Sequence, residues 1–181
     1  YLIKAKEITG LVLQNFKEED TGFFFYTSFH QKDILLRKKE VYDGAQPSGN
    51  AVMAKNLYHL SLYFGLPVWK EQALKTVSAL GNAIVRYPGS FGEWAMLLLE
   101  IAKGTAEIAI VKSNPEDLHI KVLHEYIPHK IMMCSANENN SFPLLKGKDP
   151  LHKKNLYLCK DYQCQKPVST VNQLLALIIP K

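Results

Sequence analysis

Apolar residues recur at three- and four-residue steps in the first part of the chain, a period typical of α-helices. The pattern predicts a helix over residues 1–17, a second from about Ser48 to Phe64, and a third after Pro67. The second helix has apolar residues on several sides, which indicates burial on most of its faces. The third is sharply amphipathic, and its apolar stripe consists of Trp69, Ala73, Val77, Leu80, Ile84 and Tyr87.

Glycine and proline separate these helices. Gly65-Leu66-Pro67 is a typical helix ending, and Pro88-Gly89 interrupts the chain again. Ser90 and Glu93 have the spacing of a capping box, S-x-x-E, and predict a fourth helix that ends at Gly104. Because short loops force neighbouring helices to be antiparallel, residues 48–104 are expected to form an inner, an outer and a second inner helix.

The period changes after Gly104. Glu107–Val111 and Lys130–Cys134 are predicted strands, and a helix with Pro115 at its first position runs between them to about Tyr126. This order predicts a βαβ unit with parallel strands. Three further elements are expected: an extended segment at Phe23–Thr27, a strand at Leu156–Cys159 and a helix at Val171–Ile179. The fold class is therefore mainly α, with helices in residues 1–104 and a small α/β subdomain in residues 105–181.

Composition excludes several classes of protein. Of the 181 residues, 47% are hydrophobic and 22% charged, as in a globular protein. The net charge of +5 is spread out except at Arg37-Lys38-Lys39 and Lys153-Lys154, which argues against a nucleic-acid-binding stripe. No apolar segment reaches the roughly 20 residues of a membrane span. Three cysteines give no disulfide framework and favour a reducing compartment, the cytoplasm.

The chemistry-bearing residues concentrate before the second helix. Glu40 and Asp43 are candidate catalytic carboxylates, because glycoside hydrolysis uses a pair of carboxyl groups. The alternative is local: Asp43 accepts bonds from backbone N–H groups of its turn, and Glu40 pairs with Arg37 or Lys39. We favour the local alternative, since many Asp-Gly pairs are simply turns.

Four further residues are candidate substrate-binding groups. Ser48 and Asn50 open the helix, where N–H groups and the helix dipole suit an anion or a sugar hydroxyl, although we favour a plain N-cap. Phe24, in the aromatic run Phe23–Tyr26, would line a sugar subsite with Arg37, but such runs more often lie in the core.

The cysteines and the βαβ unit carry little chemical signal. Cys159 and Cys164 are separated by four residues rather than the two of a redox C-x-x-C motif. Zinc requires four ligands, and no second ligand pair has metal spacing among His129, His152 and Cys134. We favour reduced thiols over a disulfide or a metal site, and expect no metal and no cofactor. No G-x-G-x-x-G follows the first strand, so no nucleotide site is predicted.

Several segments carry a family resemblance: D-T-G-F-F-F-Y-T (residues 20–27), D-G-A-x-P-S-x-N (Asp43–Asn50), E-I-A-I-V (residues 107–111) and Y-x-C-x4-C-x2-P (Tyr157–Pro167). Together they resemble the C-terminal part of the thioredoxin-domain-containing, spermatogenesis-associated protein 20-like family, known in bacteria as YyaL-like. Thr21-Gly22 stands where that family often has Gly-Gly.

The resemblance implies an architecture and leaves two functional hypotheses open. Members carry a thioredoxin-like domain and a toroid of paired helices similar to six-hairpin glycosidases, so residues 1–104 would be the closing helices of a partial (α/α) toroid. Because the similar N-acylglucosamine 2-epimerases use histidines as acid and base, His30 and His59 become candidates, although either is more often a packed or surface residue.

The first function is carbohydrate binding or processing, by a glycosidase-like hydrolase or a sugar epimerase, in a cleft lined by Glu40, Asp43 and Asn50. The second is a non-enzymatic helical scaffold. The chain opens at Tyr1 inside a predicted helix. Because the chain supplies few helices to cover the second helix, which is apolar on several faces, we expect residues 1–104 to be covered by the remainder of a longer protein or by a second copy.

Overall fold

The computed structural model describes residues 1–178, which are mainly helical with a small α/β part. In chain order the helices are α1 (Leu2–Phe16), α2 (Gly49–Phe64), α3 (Pro67–Arg86), α4 (Gly92–Lys103), α5 (Glu116–Leu123) and α6 (Val171–Ile178). The strands are β1 (Ala106–Val111), β2 (Lys130–Ser135), β3 (Leu156–Lys160) and β4 (Gln163–Cys164). None of the helices within residues 1–178 is long and apolar enough to cross a membrane.

The chain divides into two compact units. The first comprises Tyr1–Leu62 and Leu66–Ala102, and the second comprises Tyr63–Gly65 and the chain from Lys103 onward. The predicted helices and strands are present with shifts of a few residues at their ends, and Ile179, the predicted end of α6, lies outside the described residues. The predicted extended segment after α1 makes a single isolated bridge, between Lys17 and Phe24.

The first unit is organised around α2. Its buried side chains lie on several sides of the helix, which confirms the prediction from its apolar pattern; they include Ala51, Ala54, Leu57, Tyr58, Leu60 and Leu62. The predicted stripe of α3 is buried at Ala73, Val77 and Ile84, whereas Tyr87 lies beyond the helix and is 53% exposed. Other parts of the chain surround α2 on most of its sides, and these contacts fix its position.

The start of α4 differs from the prediction. Pro88–Ser90 forms one turn of 3-10 helix, and α4 begins at Gly92, so Ser90 is not its N-cap. The backbone N–H of Glu93 instead binds the Asp43 carboxylate at 2.8 Å. The predicted capping box is wrong because a side chain from 50 residues earlier accepts this bond.

The second unit contains a four-stranded sheet in the order β2-β1-β3-β4. β1 and β2 are parallel, from Ala106 opposite Lys130 to Val111 opposite Ser135, and α5 connects them, which confirms the predicted βαβ unit. β3 is antiparallel to β1. Helices α5 and α6 cover an apolar core whose buried members are Ile108, Ile110, Val122, Ile127, Leu156, Leu158 and Leu174.

A hairpin that the sequence did not indicate joins β3 to β4. Its turn residues Asp161 and Tyr162 both have positive φ, 48° and 62°, although neither is glycine. The buried Glu107 of β1 stabilises this turn, because its carboxylate accepts the N–H groups of Asp161 at 2.9 Å and Tyr162 at 3.1 Å. Burial and the Glu107 charge together raise the pKa of the Tyr162 phenol to about 12.

The hairpin brings two cysteines together. Cys159 of β3 pairs with Cys164 of β4, and the two form a disulfide. The prediction of reduced thiols is therefore wrong. Although the two cysteines are five residues apart in sequence, the antiparallel pairing of β3 and β4 places them directly opposite each other. The disulfide also removes the basis on which cysteine usage indicated a reducing compartment. Cys134 is the remaining thiol.

Thiol titration checks this pairing. Without reductant, the denatured chain is expected to show one titratable thiol, and reductant should raise the number to all three. In the native chain, burial raises the pKa of Cys134 to about 11, so alkylation should be slow at pH 8 and should accelerate as the pH approaches 11. Three thiols before reduction would contradict the disulfide.

Candidate functional site

The junction segment, residues 40–50, leads into α2, and Ser48 caps that helix. The Ser48 hydroxyl accepts the N–H of Ala51 at 3.2 Å, and the Ser48 carbonyl accepts the N–H of Val52 at 3.1 Å. The same hydroxyl donates to the carbonyl of Val41 at 3.3 Å. Ser48 is buried, and its hydroxyl is already hydrogen-bonded to backbone groups of the junction segment and of α2.

Asp43 joins the beginnings of two helices. One carboxylate oxygen accepts the N–H of Ser48 at 2.8 Å, and the other accepts the N–H of Glu93 at 2.8 Å. The Asp43 N–H donates in turn to the carbonyl of Ser90 at 2.9 Å. A carboxylate in this position also interacts favourably with the positive ends of the helix dipoles of α2 and α4. The predicted bond to the Gly44–Asn50 segment is confirmed.

Asn50 connects three separate stretches of chain through one buried amide. Its Oδ1 accepts the N–H of Phe24 at 2.7 Å, and its Nδ2 donates to the carbonyls of Phe24 at 3.0 Å and of Glu40 at 2.8 Å. Both edges of the amide are therefore occupied by backbone groups. This pairing fixes the extended segment after α1 against the first turn of α2.

Trp94 is a residue of this site that sequence reasoning missed. Its ring is fully buried in α4, and its indole N–H donates to the Val41 carbonyl at 2.8 Å. The ring of Tyr42 lies 5.1 Å from that of Phe91, between centroids. A buried tryptophan usually needs an acceptor for its N–H. That need could have pointed to Trp94 as a residue of this site, but the sequence does not show that the acceptor is the Val41 carbonyl.

Within residues 1–178, Glu40 and Asp43 have no hydrogen-bond partner in common. It is exposed, and one of its oxygens accepts the N–H groups of Val41 and Tyr42 at 3.0 Å each. The structure thus gives these two carboxylates different surroundings: Asp43 binds the starts of two helices, and Glu40 binds the two residues that follow it.

The expected partners of Glu40 bind elsewhere. Arg37 donates to the carbonyl of Thr27 at 2.6 Å, and its guanidinium carbon lies 4.1 Å from the centre of the Phe25 ring. Lys39 pairs with Glu18. The Lys39 ammonium and the Thr21 hydroxyl both bind the Glu18 carboxylate, and these bonds hold the pKa of Glu18 below its usual value. The expectation that Arg37 or Lys39 pairs with Glu40 is wrong.

Phe24 is buried, and it borders a small apolar cavity of about 180 Å³. The cavity lining consists of Val12, Phe16, Phe24, Phe25, Tyr26, Gly49, Asn50 and Met53. Its volume is below the roughly 300–1,000 Å³ of small-molecule sites. The polar amide of Asn50 is already bonded, so the cavity offers mainly apolar surface.

A salt bridge and a histidine–carboxylate hydrogen bond connect α2 and α4 further along. Lys55 lies 2.6 Å from Glu93, and Nε2 of His59 lies 3.0 and 3.1 Å from the two oxygens of Glu100. Both pairs advance in the same chain direction, so α2 and α4 run parallel. Glu100 is buried while His59 is partly exposed, an arrangement in which a carboxylate orients an accessible imidazole.

The other sequence candidates are not brought together with these residues. His30 lies in an exposed loop, its ring centroid 4.0 Å from that of Phe29, and among the described contacts it has none with His59. Within residues 1–178, no three His, Cys, Asp or Glu side chains converge as metal ligands.

Comparison with known proteins adds a weak homology. No protein-family model matches the chain. It is similar to spermatogenesis-associated protein 20 of Mus musculus, with 24% identity over 87% of this chain, and of Homo sapiens, with 26% over 88%. An uncharacterised protein of Caenorhabditis elegans is 21% identical over 96% of this chain. The matches cover 21%, 22% and 25% of these relatives, so the chain spans about a fifth to a quarter of their length. This homology is consistent with the resemblance carried by the Asp43–Asn50 motif.

Proposed function

We propose that this chain is a helical packing module of a spermatogenesis-associated protein 20-like protein, and that its junction segment is a structural element. The observation that carries the proposal is the use of Asp43: both carboxylate oxygens are bound by backbone N–H groups at the starts of α2 and α4. A general acid or nucleophile needs an oxygen that can reach substrate. Asn50 is likewise fully bonded to backbone.

A packing module needs a surface that receives other helices, and α1 supplies one. Its apolar pattern predicts burial, yet only Thr9 of this helix is buried. Ile3, Ile8 and Leu11 are each more than half exposed. Covering such side chains is favourable by about 25 cal/mol per Å² of apolar surface. We propose that other helices of the same full-length protein cover this surface. When the 181-residue chain is isolated, a second copy of it would take their place.

Sedimentation equilibrium tests the packing surface. The 181-residue chain is expected to dimerise or aggregate at high concentration, because α1 leaves apolar side chains exposed. Leu11→Lys should shift the distribution towards the 20.5 kDa monomer, since it places a charge on the proposed surface. Ser78→Lys, at an exposed position of α3 outside the proposed surface, should leave association unchanged. A clean monomer of the unsubstituted chain would contradict the proposal.

One observation favours a second candidate, carbohydrate binding or processing. His59 is partly exposed, and Glu100 orients its ring, as a general acid or base requires. Under this candidate, saturation-transfer NMR with glucose, mannose and their N-acetyl derivatives should detect binding that His59→Ala abolishes. Absence of saturation transfer from all four sugars, or transfer unaffected by the substitution, would reject it.

A further inference from the structure

The second unit contains a large cavity at one edge of its sheet. β1 ends at Val111, and Lys112 and Ser113 follow it. Because β3 is antiparallel to β1, with Leu156 opposite Ile110, the chain that enters β3 reaches this same edge. In open α/β sheets, ligands bind in the crevice outside the carboxyl ends of parallel strands. The position is therefore one where a binding site is expected on topological grounds.

The cavity has the size and charge of a site for an anionic small molecule. Its volume is about 560 Å³, within the range of small-molecule sites. The side chains that give it its character are cationic, Lys112, Lys121 and Lys153, or polar, His152, Ser113 and Ser169. Asp117 is the one carboxylate among the described lining residues. Three ammonium groups against one carboxylate make the cavity electropositive.

These lysines have no ion-pair partner among residues 1–178. Other lysines of the chain do: Lys39 pairs with Glu18, and Lys55 pairs with Glu93. Asp149, next to the cavity-lining Pro150, accepts the N–H of Leu151 at 2.8 Å and adds a second carboxylate near the cavity. Three ammonium groups against the carboxylates of Asp117 and Asp149 still leave a net positive charge among the described residues.

The segment that enters β3 is held in a fixed conformation. Nδ1 of His152 accepts the N–H of Lys154 at 3.1 Å and lies 2.6 Å from the Lys154 carbonyl oxygen. The amide of the buried Asn155 donates to the His152 carbonyl at 3.3 Å, and the Asn155 carbonyl accepts the N–H of Val111 at 3.1 Å. These bonds attach the residues around Lys153 to the end of β1, so the cationic groups stay near one another.

We propose that this cavity binds a small molecule carrying a phosphate group, with Lys112, Lys121 and Lys153 neutralising the phosphate oxygens. A glycine-rich loop is absent after β1, so recognition uses side-chain ammonium groups rather than a backbone cradle. Lysine suits this role as a compact point charge on a flexible stem. The proposal is independent of the packing role of the first unit.

Equilibrium dialysis of the 181-residue chain with radiolabelled pyrophosphate tests the site and does not require a monomer. Saturable binding of about one equivalent is expected, and it should weaken as salt concentration rises. Unlabelled glucose 6-phosphate, adenosine monophosphate and inorganic phosphate, added as competitors, distinguish a sugar phosphate, a nucleotide and the free ion as sources of the group.

Substitutions locate the binding. Lys112→Gln and Lys153→Gln should each raise the dissociation constant about two- to fivefold, the range of an exposed ion pair, and the double variant should raise it further. Lys146→Gln and Lys166→Gln, exposed positions in the same unit that lie outside the cavity lining, should leave it unchanged. Failure to saturate below roughly 10 mM, or equal weakening by the control lysines, would overturn the proposal.

Discussion

Replacing Asn50 with alanine is expected to lower the free energy of unfolding by about 3–4 kcal/mol. The substitution leaves the N–H and carbonyl of Phe24 and the carbonyl of Glu40 without their partner. Each unsatisfied buried backbone group costs roughly 1–3 kcal/mol, and the better helix propensity of alanine offsets only about 0.5 kcal/mol. Urea unfolding followed by circular dichroism at one fixed protein concentration measures the change.

Two further variants separate the hydrogen bonds from other effects. Asn50→Asp keeps the side-chain volume and the oxygen that accepts the Phe24 N–H. It replaces the two donating N–H groups of the amide with a negatively charged oxygen that faces the carbonyls of Phe24 and Glu40. It should therefore destabilise the chain at least as much as Asn50→Ala. Asn56→Ala, at an exposed position on the same helix, should change the unfolding free energy by no more than about 0.5 kcal/mol. Equal effects at Asn50 and Asn56 would contradict the proposed role of the buried amide.

Replacing Asp43 with alanine is expected to lower the free energy of unfolding by about 2–3 kcal/mol. The substitution removes the acceptors of two N–H groups, that of Ser48, which caps α2, and that of Glu93 in the first turn of α4, and loss of one such capping bond typically costs about 1 kcal/mol. Asp43→Asn retains one acceptor oxygen and should lose roughly half as much. The same urea titration measures both variants.

Glu40 is the matched control for Asp43. It is exposed and binds only the N–H groups of the next two residues, so Glu40→Ala should cost about 0.5 kcal/mol or less. A paired catalytic role would give the opposite pattern, with both carboxylates dispensable for stability and both required for an activity. An Asp43→Ala chain as stable as Glu40→Ala would therefore remove the support for the packing module.

Elements of this fold that are fixed by contacts between residues close in sequence could be predicted, whereas those fixed by contacts between distant residues could not. Helix α2 and its Ser48 cap follow from apolar periodicity and local capping, which act within a few residues. The β3–β4 hairpin was missed because its turn, Asp161-Tyr162, lacks the glycine or asparagine that usually marks positive φ. The buried Glu107 that stabilises this turn lies 54 residues earlier, and no local pattern reports such a contact.

The candidate site divides in the same way. The bond from Ser48 to Asp43 spans five residues and was predicted from the Asp-Gly turn. The bond from Glu93 to Asp43 spans 50 residues, and the local S-x-x-E pattern indicated a different cap. The cationic cavity was not predicted either, because its lysines belong to three separate segments that only the sheet brings together.

The most direct test of the packing module is hydrogen exchange at two amides, Ser48 and Glu93, measured by NMR in the unsubstituted chain and in Asp43→Ala. The account predicts that this one substitution reduces protection at both amides, beyond any change at Leu97 in the middle of α4, while Glu40→Ala leaves both unchanged. Unaltered protection at Ser48 and Glu93 in Asp43→Ala would contradict it.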